Sequence, residues 1–416
     1  MIPGQRTAEL AKHLRAVESR NVTYLGDDFP VFWESATGAL ITDVDHNRYI
    51  DLTSAFGVAA VGHSNAYVVA AIHDQAGRLM HGMGDVHPTE VRTRLLEALP
   101  KRLPAGLTKT FLATTGSEAV EAAMKTAVLA TGKSRFIAYR GAYHGLAPGA
   151  LALCGIDKFR TPFGGLVPSI CDFIDYPDVR TDTTAALRDL DEHFGDRSDI
   201  AALFIEPLQG RGGSVVPPQG YLRGVRDWCS KHGILMVVDE IYTGFGRTGT
   251  WFACDAEAVV PDIICIGKAM GGGFPISAAV GRSEIMDAWP VSSGEALHTS
   301  TYLGNPMGCA AALATIHELE REDLPSRAAE LGVKLGSRLQ GFAHREEIVA
   351  VRGRGLMWGI VLRSAEAADR AVKAALQRGV IALQAGPEGN VISITPPLVI
   401  TEEQLFSAVD TLVEVL

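Results

Sequence analysis

Through the middle of the chain, short runs of apolar residues alternate with stretches in which apolar positions recur every three or four residues. The first kind reads as strands buried on both faces and the second as helices laid over them, so their alternation predicts a parallel sheet covered on both sides. The clearest strands are Arg135 to Tyr139, Ala201 to Ile205, Ile234 to Val238 and Ile263 to Ile266. Between the second and third, Tyr221 to His232 puts Leu222, Val225, Trp228 and Cys229 on one helical face, with Gly233 as its stop, which makes a βαβ unit. From about Ala310 the pattern changes. A long helical stretch leads into Ile348 to Leu362, a helix near Ala365 to Gln377, short strands, and a last helix opened by a capping box, Thr401 with Gln404. The expectation is an α/β protein: a large domain over 61–309 with a mainly parallel sheet covered by helices, and a smaller α+β C-terminal domain over 310–416. The N-terminal segment, 1–60, packs with the small domain.

The length of 416 residues is enough to bury a core in each part. Hydrophobic residues at 47% and charged residues at 21% fit an ordinary globular protein better than a disordered or membrane-embedded one. Lys and Arg number 38 against 48 for Asp and Glu, a net charge of -10 with no long run of one sign, which argues against a general grip on nucleic acid. The six cysteines are scattered, without a Cys-x-x-Cys pair or a His cluster at ligand spacing, so reduced and mostly buried thiols are expected, with no metal site. Arg6, Glu9, Lys12, Arg15, Glu18 and Arg20 break any apolar run near the start, and no uncharged apolar stretch of about 18 residues follows. A cytoplasmic protein that does not enter membranes is the expectation.

Four local patterns carry candidate chemistry. Val237 and Val238 end a strand in two acids, Asp239 and Glu240. Ligands of open parallel sheets sit beyond the carboxyl ends of the strands, which puts Asp239 where a cofactor would lie; an acid that merely caps a turn is the plain alternative. Next, Ile263 to Ile266 runs into Gly267 and Lys268, followed by Ala269, Met270 and the glycines 271 to 273. A lone lysine at the end of a buried strand is poorly explained as surface decoration, and a desolvated amine able to form a Schiff base explains it better. Third, Thr114-Thr115-Gly116-Ser117-Glu118-Ala119 opens a helix through Ala130, and its free N–H groups and dipole suit a phosphate, with Gly116 allowing close approach. Fourth, Tyr143-His144-Gly145 follows a strand, where an aromatic face could stack on a planar ring. Gly244-Phe245-Gly246-Arg247-Thr248-Gly249 satisfies the dinucleotide pattern. However, Asp239 to Thr243 separate it from the strand and no helix start follows, so it is not read as a nicotinamide site.

Taken in order, these motifs resemble the class-III aminotransferases of the fold-type-I pyridoxal-phosphate enzymes, the group that includes ornithine and 4-aminobutyrate aminotransferases. The resemblance runs from about Phe32 to the C-terminus. It is carried by Thr-Gly-Ser-Glu-Ala at 115–119, Tyr-His-Gly at 143–145, Glu206-Pro207, Asp239-Glu240-Ile241 leading into the 244–249 turn, Lys268, and Thr301 with Gly304-Asn305-Pro306. It implies pyridoxal 5′-phosphate held on Lys268 as a Schiff base, with the same lysine shuttling the proton. It also implies Asp239 against the pyridine nitrogen, keeping it protonated. Gly116, Ser117 and Thr301 of the partner subunit are expected to hold the phosphate, with Tyr143 on one ring face and Ile241 on the other. His144, Glu206 and Tyr242 join the cofactor site by motif position. A homodimer with shared active sites follows from the same resemblance, acting on small amino donors and carbonyl acceptors.

The chain departs from the family pattern where substrate carboxylates are bound. Ser393 stands before Thr395-Pro396-Pro397-Leu398 where ornithine- and 4-aminobutyrate-type enzymes usually carry an arginine, and a serine cannot clamp a carboxylate in bidentate fashion. Leu146 replaces a second arginine, and Tyr242 stands where many relatives have a glutamine near the cofactor hydroxyl. Arg211 offers a replacement for the missing carboxylate clamp, against the plain alternative of an arginine paired with Glu206 or a surface acid. Racemases and epimerases of the same class also lack the C-terminal arginine, which makes them the second functional reading. They typically place an aspartate where Arg211 stands, and a guanidinium is a poor base.

Overall fold

The computed structural model describes residues 2–26 and 28–416. After a first helix, Gln5–Val17, come three strands: β1 (Trp33–Thr37), β2 (Leu40–Asp43) and β3 (Arg48–Asp51). Seven more make the central sheet: β4 (Leu107–Ala113), β5 (Arg135–Tyr139), β6 (Cys171–Ile174), β7 (Ile200–Ile205), β8 (Leu235–Asp239), β9 (Ile263–Ile266) and β10 (Ser277–Arg282). The remainder are β11 (Ile348–Arg354), β12 (Met357–Leu362), β13 (Val380–Ile381), β14 (Leu383–Ala385) and β15 (Val391–Ile394).

The central sheet has the order β4-β10-β9-β8-β7-β5-β6. Strands β5 to β9 pair in parallel, while β10 runs antiparallel to both β9 and β4. Every residue of β7 and β9 is buried, which is why their sequences read as continuous apolar runs instead of alternating ones. Successive side chains still point to opposite faces. Phe136, Phe204, Val237 and Ile263 meet Val120, Ala123 and Ala127 of the helix Gly116–Thr131. Ile137, Ile205, Val238 and Ile264 join a second core that includes Val225 and Cys229 of the helix Tyr221–His232. Each fully buried aliphatic side chain adds about 1.5–3 kcal/mol, so the two cores fix the strand register from both sides.

The C-terminal part is built on a second sheet, β11-β12-β15-β14, wholly antiparallel. The N-terminal strands form a third, β1-β2-β3-β13, in which β13 joins β3 in parallel. Backbone bonds from Leu52 to Ile381 (2.9 Å) and from Thr395 to Leu52 (2.7 Å) stitch the start of the chain to its end. The long helical stretch expected after Ala310 is two helices, Pro306–Arg321 and Leu324–Gly341, broken at Asp323, whose φ of 43° no helix accommodates. The first of them begins before residue 310 and packs against the helices Ala66–Arg78 and Glu90–Ala98. The 244–249 turn leads into no α-helix; instead its Arg247, 2% exposed, donates to the carbonyls of Leu356 (3.1 Å) and Pro396 (2.5 Å). Among the described residues no helix is long and apolar enough to cross a membrane.

Candidate active site

Three neighbouring parallel strands deliver their next residues to one edge of the sheet: β7 ends before Glu206, β8 ends on Asp239, and β9 runs through Gly267 into Lys268. Because these strands are parallel and adjacent, their carboxyl ends form one shelf. The helix Gly116–Thr131 starts at the same edge. Its N-cap Thr115 and Glu118 close a capping box, and its first turn leaves the N–H groups of Gly116 and Ser117 without intrahelical acceptors. A cavity of about 380 Å³ lies between, lined among others by Gly116, Ser117, Tyr143, His144, Glu206, Asp239, Ile241, Tyr242 and Lys268. All the residues expected near the cofactor are therefore gathered there except Thr301, which is exposed and outside the lining. Gly304-Asn305-Pro306, which follows, caps a helix in this chain: Asn305 accepts from the N–H of Gly308 at 2.7 Å.

Backbone geometry shapes the cavity. A Cβ at Gly116 would come within 2.9 Å of Cδ1 of Ile241, and one at Gly145, where φ is 129°, would run into Ser117. Ser117 Oγ in turn accepts from the N–H of Ala147 at 3.1 Å, tying the Tyr143-His144-Gly145 loop to the helix start. Lys268 adopts a left-handed φ of 42°, a conformation lysine rarely takes, directly after the extended Gly267.

Asp239, 4% exposed, uses both carboxylate oxygens within its own chain. Oδ2 lies 2.7 Å from Nδ1 of His144, and Oδ1 accepts from the N–H of Ile241 at 3.0 Å. Burial works against a charge on the His144 imidazole, but the hydrogen bond to Asp239 and the nearby carboxylates outweigh it and raise its pKa. His144 Nε2 is buried and has no hydrogen-bond partner among the described residues. Glu206 accepts from the N–H groups of Tyr143 (3.2 Å) and Gly210 (3.3 Å), and burial lifts its carboxyl pKa to about 7, with His144 pulling the other way. Burial lowers the pKa of the Lys268 amine, while Asp239 and Glu206 act against that fall. An amine with a depressed pKa beside fixed carboxylates is what Schiff-base chemistry requires.

A second cavity, about 40 Å³, lies on the other side of Tyr242 and is lined by Thr53, Phe56, Gly210, Arg211, Gln384, Ser393 and Thr395 among others. Arg211 and Ser393, far apart in sequence, thus face the same space. The Arg211 guanidinium donates to the carbonyl of Gln384 at 2.9 Å and lies 6.0 Å from the centre of the Phe159 ring, so backbone rather than an acid is its hydrogen-bond acceptor. The Tyr242 phenol meets Thr395 Oγ1 at 3.2 Å. Sequence reasoning missed Thr53, Phe56, Gly210 and Thr395. Phe56 belongs to a run of four left-handed residues, Ser54 to Gly57, with φ from 48° to 81°. Only Gly57 in that run advertises such a conformation.

The family model for class-III aminotransferases matches residues 23–416. The chain belongs to the class-III aminotransferases. It is 40% identical over 383 residues to the acetylornithine aminotransferase of Methanosarcina mazei, covering 92% of this chain and 91% of that one. It is 37% identical to the 4-aminobutyrate aminotransferase of Mycobacterium leprae, covering 100% of this chain and 96% of the relative. An amine transaminase from an uncultivated Pseudomonas species, solved in its pyridoxal-phosphate-bound form, superposes with a TM-score of 0.88 at 31% identity, covering 95% of this chain and 97% of that one. This class-III aminotransferase therefore has the fold-type-I architecture, works with pyridoxal 5′-phosphate and transfers amino groups between small molecules. The groups in the cavity fit that cofactor's chemistry: free N–H groups at a helix start, a buried carboxylate and a desolvated lysine line one space.

Proposed function

We propose that Lys268 is the lysine that carries pyridoxal phosphate and moves the proton in amino transfer, with the surrounding residues in the roles that follow. The observation that carries this reading is the placement of a desolvated lysine in one cavity with the Asp239–His144 pair and the start of the helix Gly116–Thr131. When bound, the cofactor supplies a conjugated electron sink that acidifies the substrate Cα–H bond. Asp239 holds the pyridine nitrogen protonated, and His144 holds Asp239 in orientation. The N–H groups of Gly116 and Ser117 receive the phosphate, with Thr301 of the partner subunit as a further ligand in a homodimer. Tyr143 and Ile241, which line the same cavity, would pack against the cofactor ring. Glu206, Tyr242 and the walls of the cavity exclude water around the Lys268 amine, which would be the group that takes up and holds the substrate Cα proton.

For substrate, Arg211 takes the carboxylate of the amino donor or keto acid in place of the arginine absent at position 393. Its place beside Ser393 in the second cavity, with a backbone carbonyl as its hydrogen-bond acceptor, supports this. The donors are then carboxylate-bearing amino acids, the class to which the acetylornithine and 4-aminobutyrate of the named relatives belong, and the protein works in the cytoplasm. Borohydride reduction of the holoenzyme followed by peptide mapping tests the central assignment. The label is expected on Lys268, and a label on another lysine overturns it.

A further inference from the structure

Tyr242 forms the wall between the two cavities, and its ring is held from three directions. A Cβ at Gly57 would lie 2.5 Å from Cε2, and one at Gly210 would collide with Cδ1, so glycine backbone grips the two opposite edges of the ring. Gly57 has a φ of 81°, which favours glycine for its conformation as well as its size. At the tip, Thr395 Oγ1 donates its only proton to the carbonyl of Thr53 at 3.3 Å, so the phenol must donate to Thr395 across their 3.2 Å separation. That bond fixes the tilt of the ring and takes the phenol proton away from the cofactor cavity. What Tyr242 offers that cavity is a ring face, and Nζ of Lys268 lies 4.2 Å from its centre.

We infer that Tyr242 is a positioning residue for Lys268, its clamped ring holding the amine by a cation–π contact whenever that amine is free of the cofactor and carries a proton. The inference rests on the reading of Lys268 as the cofactor lysine. If Lys268 carries the cofactor, its amine would be free while substrate is bound, and it would then take up the proton from substrate Cα and hold it for return. During that interval Nζ is an ammonium in a desolvated site, facing Asp239, Glu206 and His144 on the shelf side and Tyr242 on the other. A ring face stabilises the ammonium over the amine and directs Nζ without adding a carboxylate that would hold the proton too tightly. A glutamine amide or an aliphatic residue in this place offers no such face.

The test separates ring from hydroxyl and electrostatics from shape. Tyr242→Phe keeps the face and loses the bond to Thr395, while replacement of Tyr242 by a trifluorinated phenylalanine keeps a ring of similar shape with a depleted π cloud. In the apoenzyme, the pH dependence of reductive methylation at Lys268, followed by mass spectrometry, reports the amine's own titration. Tyr242→Phe is expected to leave it within a few tenths of a pH unit of the parent, and the fluorinated ring to lower it by about half a unit to one unit. In the holoenzyme the fluorinated variant should lose roughly threefold to tenfold in kcat with KM little changed. A titration that does not move with fluorination overturns the inference, as does Tyr242→Phe losing as much as the fluorinated ring. Borohydride labelling of each variant keeps the two readings apart. A label on Lys268 with a flat fluorination series defeats only the role of Tyr242, whereas a label elsewhere in the parent defeats the Lys268 assignment and this inference with it.

Discussion

Arg211 and Glu206 sit five positions apart, yet burial and partners give them separate tasks. The Arg211 guanidinium keeps donors beyond the one bonded to Gln384, and it shares a cavity with Ser393. Arg211→Ala is therefore expected to raise KM for a carboxylate-bearing donor at least tenfold while changing KM for a carboxylate-free amine little, since a charge-assisted pair contributes about 1.5–3 kcal/mol. Steady-state kinetics on the two donors checks it, and equal effects on both would remove the carboxylate role. Glu206 makes a prediction about acidity. Burial lifts its folded pKa to about 7, above the ordinary glutamate value of 4.5, so between those limits the folded apoenzyme binds more protons than the unfolded chain. The stability Glu206 contributes is thus fully present below about pH 4.5 and lost as pH rises through about 7. His144, also raised, acts in the same sense. Glu206→Gln removes the titrating carboxyl, so the fall of apoenzyme Tm across this window should become shallower in the variant, as thermal melts at a series of pH values would record.

At the level of elements, the ends of helices and strands decide where chemistry sits, and they were the readable part of the sequence. The strand ending at Ile266 and the helix Tyr221–His232 are found where the apolar pattern put them, because strands buried on both faces and helices with a stop glycine leave strong local signals. Strands β4, β6 and β10 did not stand out. Ser277–Arg282 is rich in small residues, and its antiparallel direction follows from the tertiary route of the chain after Lys268, which no local pattern records. The residues that line the larger of the two cavities were legible because they follow strand ends and a helix start. The far wall was not, since Thr53, Phe56 and Thr395 reach it only through the pairing of the two chain ends and the left-handed run at 54–57. The last helix offers a control away from the site. Thr401 accepts from the N–H of Gln404, whose side chain accepts in return from Thr401 N–H. Thr401→Ala should cost about 1 kcal/mol in urea unfolding with kcat unchanged; a change in kcat would mean this helix communicates with the active site.

Across the whole molecule, Arg247 is the buried joint. From the turn after β8 it reaches the carbonyls of Leu356 and Pro396, linking the central sheet to the C-terminal sheet, and burial lowers its pKa to about 10. Arg247→Met retains the length of the side chain but strands both acceptors, an expected loss of about 2–4 kcal/mol. Urea unfolding followed by tryptophan emission measures it, and a loss below about 1 kcal/mol would show that the two parts are held together by other contacts. A different tension is built in at position 268, where a long cationic side chain occupies a backbone conformation suited to glycine and an environment suited to an uncharged group. Folding alone would favour almost any smaller neutral residue there. A selection that rewarded only resistance to heat, blind to turnover, would discard this lysine early, and the protein keeps it as the margin of robustness it gives up in order to react.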